Sequence, residues 1–451
     1  VVNVDEIYNE FSSGSVDVTA IRNFIRMVYD RDNSLKYVLL MGRGNCDYKN
    51  ILKMNNNFIP PYESIVTYSE INSYVTDDYF ALLDNDEGQD CYGTVDIGIG
   101  RIPVSTKTEA RGVVEKIIRY IRNDVDNFDD WRTKILFIAD DDVVEYARNN
   151  DALERIIDSS YVGADVEKIY LDSYIRVPVS GGYSYPDATS DLLSKINDGL
   201  LMMSYTGHGG VKGLTEEGLL QENHIVALEN KMLPFMLTAT CEFSKFDDPT
   251  YISAGERLFT NIKGGTIGML TSTRPTMIGN NFIVSKNMYL SLFDNDDINN
   301  ITFGDIIRET KRKCADNSSG YLCYVMFGDP ALRLRYPNNT MMINEINDTS
   351  LDTEINLSAM SDVIAKGIVL NADGEKDDLF NGILHVKMYD SESNFKMLNN
   401  NGVSNMTYNF SFYKDVIYEG QASVKKGEFC FSYKIPQTLN YQGNNARISL
   451  Y

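Results

Sequence analysis

Positive charge is scarce in this sequence, and long apolar runs are missing from it. Lys and Arg number 42 against 64 Asp and Glu, so the formal net charge is −22. A surface of this sign repels the nucleic-acid backbone and anionic lipid, both of which bind to basic surfaces. No apolar run approaches the roughly 20 residues that a membrane-spanning helix needs. The composition therefore argues against a nucleic-acid partner and against a membrane span in this chain.

Cysteine is also sparse. The chain holds six: Cys46, Cys91, Cys241, Cys314, Cys323 and Cys430. This number does not make the dense disulfide framework of a small secreted domain. If Cys241 is a free nucleophile, an odd number remains, and an odd number cannot all pair within the chain. Cys314 and Cys323 are near enough in sequence to bridge, and two independent buried thiols fit the sequence equally well.

Length and composition indicate several globular domains. A chain of 451 residues exceeds what one compact core holds, and 43% hydrophobic with 11% aromatic residues is typical of globular protein. The chain opens on Val1-Val2-Asn3-Val4, a strand-like pattern, without an initiator Met or a visible signal peptide. We therefore expect it to be a processed or excised part of a longer protein.

Hydrophobic periodicity divides the chain into three regions. Residues 1–125 and 131–337 alternate strand and helix patterns, and the polar stretch from Asn123 to Asp130 separates them. Pro337-Asn338-Asn339 marks a second boundary. Over residues 340–451 helical periodicity gives way to the alternation of half-buried strands, as in Glu428 to Ile435. We predict two α/β subdomains with a parallel sheet, followed by an all-β immunoglobulin-like sandwich that carries no catalytic constellation.

Two short apolar runs each end in a reactive residue. Leu200 to Thr206 runs into Gly207-His208-Gly209-Gly210, and Leu233 to Thr240 runs into Cys241-Glu242. Such runs predict buried parallel strands, and the chemistry of open α/β sheets collects at the carboxyl ends of these strands. About thirty residues separate the two sites, enough for the crossover between neighbouring parallel strands. We expect His208 and Cys241 to meet at one edge of the sheet.

This pair suits nucleophilic catalysis. A cysteine attacks as the thiolate, and a nearby histidine can take up the proton and later give it to a leaving amine. The amide groups of Gly209 and Cys241 are placed to bind a developing oxyanion. The structural alternative is a buried cysteine beside a histidine with satisfied hydrogen bonds. The other two histidines, His224 and His385, lie outside any comparable motif.

The motif resembles that of the gingipain-type cysteine peptidases, which share a caspase-like fold and a His-Gly…Cys dyad. The sequence is most similar to the sortase branch of that family, which acts in type IX secretion. The similar stretches lie along almost the whole chain: Tyr8 to Gly14, Thr76 to Phe80, Ile99 to Val104, Tyr205 to Gly209, Thr240 to Pro249, Ser253 to Glu256, Phe327 to Leu332, Ala422 to Gly427, and Asn440-Tyr441.

The resemblance implies a function and a place. A sortase of this branch is an endopeptidase at the cell surface that removes C-terminal secretion signals from exported proteins. It works with other subunits of an outer-membrane secretion complex and can join the new carboxyl end to lipopolysaccharide. No cofactor is required for catalysis. The alternative is a catalytically silent structural subunit of such a complex, which the intact pair of His208 and Cys241 argues against.

A carboxylate that orients the histidine is expected after the strand Lys134 to Ala139. That strand runs into Asp140-Asp141-Asp142. The resemblance implies a Glu that contacts the histidine at this place, and Asp142 matches its spacing with a side chain one methylene shorter. The alternative is a solvated helix N-terminus, where the helix dipole favours acidic residues.

Four further features carry predictions. Asp84, Asp86 and Asp90 stand in an acidic turn that resembles a short calcium loop, and a plain solvated turn is the alternative. The resemblance supports calcium as a structural ion, since gingipain-type peptidases bind it. Glu242 and Gly210 should line the substrate cleft. Arg274 is a candidate contact for an anionic acceptor, and a solvated surface arginine is its alternative.

Overall fold

A computed structural model describes residues 1–32, 34–123, 130–161, 163–294, 298–315, 319–337, 339–371, 373–402, 407–437, 439 and 445–451. Three sequence features fall outside these ranges: most of the linker from Asn123 to Asp130, Asn338 at the second boundary, and the Asn440-Tyr441 stretch.

The helices alternate with strands over the first two thirds of the chain. They are α1 Val4–Phe11, α2 Val18–Arg31, α3 Lys107–Arg122, α4 Val144–Ser160, α5 Pro186–Asp198, α6 Glu222–Ala227, α7 Ala254–Thr260, α8 Ile278–Phe293 and α9 Phe303–Ala315. Short 3₁₀ turns cover Asp78–Ala81, Gln89–Cys91, Asp130–Arg132, Leu171–Ser173 and Ser319–Cys323. Among the helices of the described ranges, none is long and apolar enough to cross a membrane.

The strands of the same region are β1 Tyr37–Met41, β2 Tyr62–Glu63, β3 Val75–Thr76, β4 Gly98–Ile102, β5 Lys134–Ala139, β6 Asp165–Tyr170, β7 Val177–Val179, β8 Gly182–Ser184, β9 Met202–Thr206, β10 Gly209–Gly210, β11 Gly213–Leu214, β12 Leu220–Gln221, β13 Phe235–Ala239, β14 Gly268–Ser272 and β15 Tyr324–Phe327. The C-terminal region adds β16 Thr340–Ile346, β17 Thr349–Ser350, β18 Asp362–Leu370, β19 Gly382–Tyr389, β20 Ser393–Lys396, β21 Asn409–Phe412, β22 Val416–Lys425, β23 Glu428–Lys434 and β24 Arg447–Leu450.

One eight-stranded sheet organises the α/β part, in the order β1-β4-β15-β14-β13-β9-β5-β6. The five strands from β14 to β6 are parallel. β15 runs antiparallel to β14, and β4 and β1 run parallel to β15. The strands of residues 1–125 and of residues 131–337 thus join in one sheet through β15. The predicted α/β fold with a mainly parallel sheet is confirmed.

The described strands β5, β9, β13 and β14 are the centre of this sheet, and nearly every residue in them is buried. Apolar runs without alternation are what strands covered by helices on both faces require. This explains why the two runs that end in His208 and Cys241 were recognisable in the sequence as buried parallel strands.

Buried ion pairs fasten the N-terminal strands to the rest of the sheet. The Arg101 guanidinium is fully buried and makes two hydrogen bonds to the Asp77 carboxylate, at 2.8 and 2.6 Å. Arg43 pairs with Glu256 at 2.6 Å, and Glu256 also caps the N-terminus of α7 together with Ser253. Asp77, Arg101 and Glu256 lie in stretches on which the family resemblance rests, so those stretches have a structural role in this fold.

The C-terminal region forms a seven-stranded antiparallel sheet in the order β17-β16-β18-β23-β22-β19-β24. β22 and β23 pair over only two positions beside their turn, so the sheet folds into two layers there. Buried side chains from both layers, such as Val363 and Val386, form a separate hydrophobic core. A β-sandwich is the architecture that this arrangement fits, as predicted from the alternation of Glu428 to Ile435.

One local prediction is wrong, and one pair of open alternatives is decided. The opening residues Val1 to Val4 are not a strand, because the Asn3 side chain accepts the Asp5 amide and starts helix α1 at Val4. Cys314 and Cys323 are not bridged, since both are free, buried thiols. The second of the two alternatives for this pair is therefore correct.

Candidate active site

Neighbouring strands carry His208 and Cys241 to the same edge of the sheet. β9 and β13 pair in parallel, with Thr206 directly opposite Ala239. His208 comes two residues after Thr206, and Cys241 comes two residues after Ala239. Both residues therefore lie at the same distance beyond a pair of directly opposed residues. Paired strands lie about 4.8 Å apart. The structure thus brings together the two residues that the sequence selects as a dyad.

Asp140 fixes the backbone of His208. Its Oδ2 accepts the His208 amide at 2.8 Å and the Tyr205 hydroxyl at 3.2 Å. Asp140 is buried, and this burial raises the pKa of its carboxyl well above the ordinary value. A Cβ at Gly207 would lie 2.3 Å from the Asp140 Cβ, so the chain passes this carboxyl only because residue 207 is glycine. The turn that presents the imidazole is therefore rigidly held.

The His208 imidazole contacts two side chains through one nitrogen. Nε2 lies 3.5 Å from Asp142 Oδ2 and 3.4 Å from the Tyr146 hydroxyl, and Tyr146 packs edge-on against the ring. Burial and the neighbouring Asp141 charge raise the pKa of the Asp142 carboxyl. With Nε2 turned to Asp142 and Tyr146, Nδ1 is the nitrogen left to exchange protons with a thiol and a substrate. Asp142 therefore lies in contact with the imidazole, and its role as the orienting carboxylate remains a prediction.

The Cys241 thiol is partly exposed and held from one side. Its Sγ accepts the Thr276 amide at 3.3 Å and contacts the Thr276 carbonyl oxygen at 3.6 Å. The Thr276 hydroxyl in turn donates to the Thr240 carbonyl at 2.9 Å, which fixes this loop against the end of β13. The backbone of Thr276 thus both donates to the sulfur and accepts from the thiol, which fixes the position of Cys241 Sγ.

Three of the other cysteines, Cys46, Cys314 and Cys323, are poor nucleophiles. Burial raises the pKa of Cys323 to about 11 and also raises the pKa values of the Cys46 and Cys314 thiols. A raised pKa leaves less thiolate at neutral pH.

Gly209 lies against the residue that precedes Cys241. A Cβ at Gly209 would be 2.6 Å from Thr240 Oγ1. The Thr215 amide donates to the His208 carbonyl at 3.0 Å, which makes Gly209 and Leu214 a non-hydrogen-bonded pair of the β10–β11 hairpin. The Gly209 amide therefore points out of that hairpin. The predicted oxyanion hole of the Gly209 and Cys241 amides remains a prediction.

The predicted cleft residues Gly210 and Glu242, and the candidate acceptor contact Arg274, have different surroundings. Gly210 borders open space, because no atom lies within 4 Å of where its Cβ would be. The Glu242 carboxylate pairs with Lys245 at 2.6 Å. Arg274 is buried, and its guanidinium makes two hydrogen bonds to Asp247, at 2.8 and 2.6 Å. The alternative of a solvated surface arginine is wrong, and the guanidinium is already engaged by a carboxylate rather than open to an anionic acceptor.

The acidic turn gathers a different trio from the predicted one. Asp84 lies with Glu87 and Asp96, and an oxygen of each carboxylate is within 4.8 Å of the others. Asp86 and Asp90 are exposed and lie outside this trio. Three hard oxygen ligands suit calcium. Calcium binding by this turn remains a prediction, and of its three predicted ligands only Asp84 lies in the trio.

Sequence reasoning missed Asp140, Tyr146 and Thr276 as site residues. Asp140 could have been found, since it is the first of three acidic residues at the carboxyl end of β5. Tyr146 had no signal beyond its place in the helix after that strand. Thr276 had none, because only the fold brings the loop after β14 beside Cys241.

Comparisons with known proteins bear on the family and the fold of this chain. The family model for peptidase family C25 matches residues 1–335. No curated protein sequence matches the chain. The Arg-specific cysteine proteinase gingipain R (RgpB) superposes with a TM-score of 0.57 at 18% identity, covering 98% of this chain and 86% of that one. A complex of Porphyromonas gingivalis RgpB pro- and mature domains gives 0.56 at 18% identity, covering 98% and 88%. Dimeric latent PorU from Porphyromonas gingivalis gives 0.41 at 22% identity, covering 100% of this chain and 38% of that chain.

Proposed function

We propose that this chain, which belongs to peptidase family C25, is a cysteine endopeptidase that cleaves proteins through Cys241 and His208. The observation that carries the proposal is the shared register of β9 and β13, which places the two side chains at equal offsets beyond paired strands. The contacts of His208 Nε2 with Asp142 and Tyr146 support the role of His208 as the base. The Thr276 amide, which donates to Cys241 Sγ, supports the role of Cys241 as the nucleophile.

Acylation begins when the Cys241 thiolate attacks the carbonyl carbon of the scissile peptide bond. The oxygen gains negative charge, which the amides of Gly209 and Cys241 stabilise. The carbon–nitrogen bond then breaks, and His208 gives the proton taken from the thiol to the leaving amine. The products are a free amine and a thioester between the substrate and Cys241. Asp142 keeps the imidazole turned toward the thiol and stabilises its protonated form.

In deacylation, water or an amine attacks the carbonyl carbon of the thioester. The attacking group loses a proton to His208, and Cys241 leaves as the thiolate. Water is present in large excess, so transfer to an amine dominates only when the acceptor is bound beside the thioester and gains a high effective molarity. Both outcomes use the same residues, and the bound acceptor decides between hydrolysis and transfer.

The proposed substrates are exported proteins that carry C-terminal secretion signals. The chain would act at the cell surface, with other subunits of an outer-membrane secretion complex, and would join the new carboxyl end to an amine of lipopolysaccharide. Support comes from the sequence stretches that resemble the sortase branch, which lie along almost the whole chain. The net charge of −22 implies that a partner subunit or a local neutral groove holds the anionic acceptor.

The test is mass spectrometry of a purified exported protein after incubation with this enzyme. A single cut that frees the C-terminal signal, with an amide product when a small amine is added, supports a sortase. The Cys241→Ala protein is the matched control and should leave the substrate intact. The contrary result is cleavage at many sites, with the new carboxyl ends appearing only as free acids at every amine concentration. This result would mean that the protein is a general endopeptidase and not a sortase.

A further inference from the structure

A hairpin leaves the C-terminal sandwich and packs on the α/β domain. β20 and β21 pair with each other and not with the seven-stranded sheet. The Phe410 ring lies 4.6 Å from the Tyr170 ring at the end of β6. Met397, Phe410 and Phe412 are buried in the core cluster of the α/β domain, not in that of the sandwich. This hairpin is therefore a docked extension of the C-terminal region.

The tip of the hairpin is fixed by one buried carboxylate. The Asp172 side chain, fully buried beyond the end of β6, accepts the amides of Asn399 and Asn400 at 2.8 and 2.7 Å. The Asp172 carbonyl accepts the Leu398 amide at 2.7 Å. Three backbone amides of the tip thus bind a single residue, at the same edge of the sheet as His208.

The next residue of the tip reaches the acidic run beside the site. Asn401 Nδ2 donates to Asp141 Oδ2 at 3.0 Å and to Asp142 Oδ1 at 3.1 Å. Arg176 donates to Asn401 Oδ1, and because a guanidinium only donates, this contact fixes which end of the amide faces the two carboxylates. Asn401 occupies one oxygen of Asp142, while the other oxygen, Oδ2, faces His208.

We propose that Asn401, from the C-terminal region, is a positioning residue for the active site: its amide holds the Asp142 carboxylate against His208. The inference rests on the proposed function for its kinetic consequence. Adjacent carboxylates repel each other, and an amide that donates to both offsets that repulsion. Without the donor, the half-exposed Asp142 side chain is free to turn toward solvent. The docked hairpin thus makes the C-terminal region part of the catalytic apparatus.

The test compares Asn401→Ala with Asn400→Ala in the full chain. Asn400 belongs to the same tip, and its side chain donates to the Tyr174 carbonyl at 3.0 Å instead of to Asp142. We expect Asn401→Ala to lower kcat between about tenfold and a hundredfold with KM little changed, because it misplaces a group without removing substrate contacts. Asn400→Ala should keep the wild-type kcat. Equal losses in both variants would mean that the tip only stabilises the fold.

A double-mutant cycle with Asp142→Ala separates positioning from stability. If Asn401 acts through Asp142, adding Asn401→Ala to Asp142→Ala should cost no further activity. A full additional loss would overturn the proposal. The melting temperatures of the variants, measured alongside, identify any protein that fails to fold.

A second readout does not depend on turnover. The chain has three histidines, so the His208 ring signal can be assigned in an NMR spectrum by comparison with His208→Ala. Asn401→Ala should change the chemical shift of this signal, because the Asp142 carboxylate no longer stays against Nε2. Asn400→Ala should leave the His208 signal unchanged. An unchanged His208 signal in Asn401→Ala would overturn the proposal even if the protein proved to have no peptidase activity.

Discussion

Gly209→Ala tests how closely the His208 turn fits against the Cys241 strand end. The new Cβ would lie 2.6 Å from Thr240 Oγ1 and 3.1 Å from Thr240 Cγ2. Ordinary contact begins near 3.4 Å, so the new Cβ or the fully buried Thr240 side chain must move by about 0.8 Å. A misplacement of about 1 Å at reacting groups costs about a hundredfold in rate. We expect kcat to fall between tenfold and a hundredfold, with about 1–3 kcal/mol lost from stability by overpacking.

The assay is steady-state cleavage of a peptide substrate, with melting temperatures measured in parallel. Gly182→Ala is the matched control, because Gly182 is exposed in the β7–β8 hairpin and no atom lies within 4 Å of its Cβ position. Adding Thr240→Ala to Gly209→Ala removes both clashing atoms and should recover much of the lost kcat. A Gly209→Ala enzyme with wild-type kcat would refute the reasoning that the two strand ends are in contact at the reacting centre.

Two further predictions concern the surroundings of the site. Burial and the Asp247 charge raise the pKa of Glu63 to about 8, from 4.5, against the opposing effect of Arg274. Between these two values the folded protein keeps a proton that the unfolded chain has lost. The contribution of Glu63 to stability is therefore fully present below pH 4.5 and is lost as the pH rises through 8. The melting temperature of Glu63→Gln should exceed that of the wild type by a margin that grows between pH 5 and pH 9. A margin that stays constant would contradict this. Chelation of calcium should lower the melting temperature of the wild type more than that of Asp84→Asn, because the ion binds only the folded turn; identical curves with and without chelator would leave a plain acidic turn.

The strand ends that carry His208 and Cys241 were predictable from the sequence because both residues follow strong local patterns. The apolar runs before His208 and Cys241 are short, continuous and bounded by glycine or polar residues, which is the pattern of a buried parallel strand. Helix α3, Lys107–Arg122, rests on equally local signals, namely an apolar stripe of period 3.6 and a capping box that begins at Thr106. The pattern of Glu428 to Lys434 gave β23 for the same kind of reason.

Features that depend on distant contacts were not predictable. Asn401 stands in a run of asparagines that resembles a loop, and its partners Asp141 and Asp142 are about 260 residues away in the chain. Arg274 lies just after a strand end, a position that gave no sign of its pairing with Asp247. The acidic turn shows the same limit, because Asp96 joins Asp84 only through the fold, whereas Asp86 and Asp90 are nearer in sequence and lie outside the trio. Composition and periodicity do not contain this information.

The most direct measurement of the central claim is intact-protein mass spectrometry of the enzyme during turnover of a peptide substrate. Wild-type protein should carry a transient adduct with the mass of the N-terminal substrate fragment, joined as a thioester to Cys241. Cys241→Ala should show no adduct, and both Cys241→Ala and His208→Ala should lose nearly all turnover, because the two residues act as a unit. Substantial cleavage by a folded Cys241→Ala protein, with the adduct absent from wild type, would contradict the assignment of this chain as a cysteine peptidase that acts through Cys241 and His208.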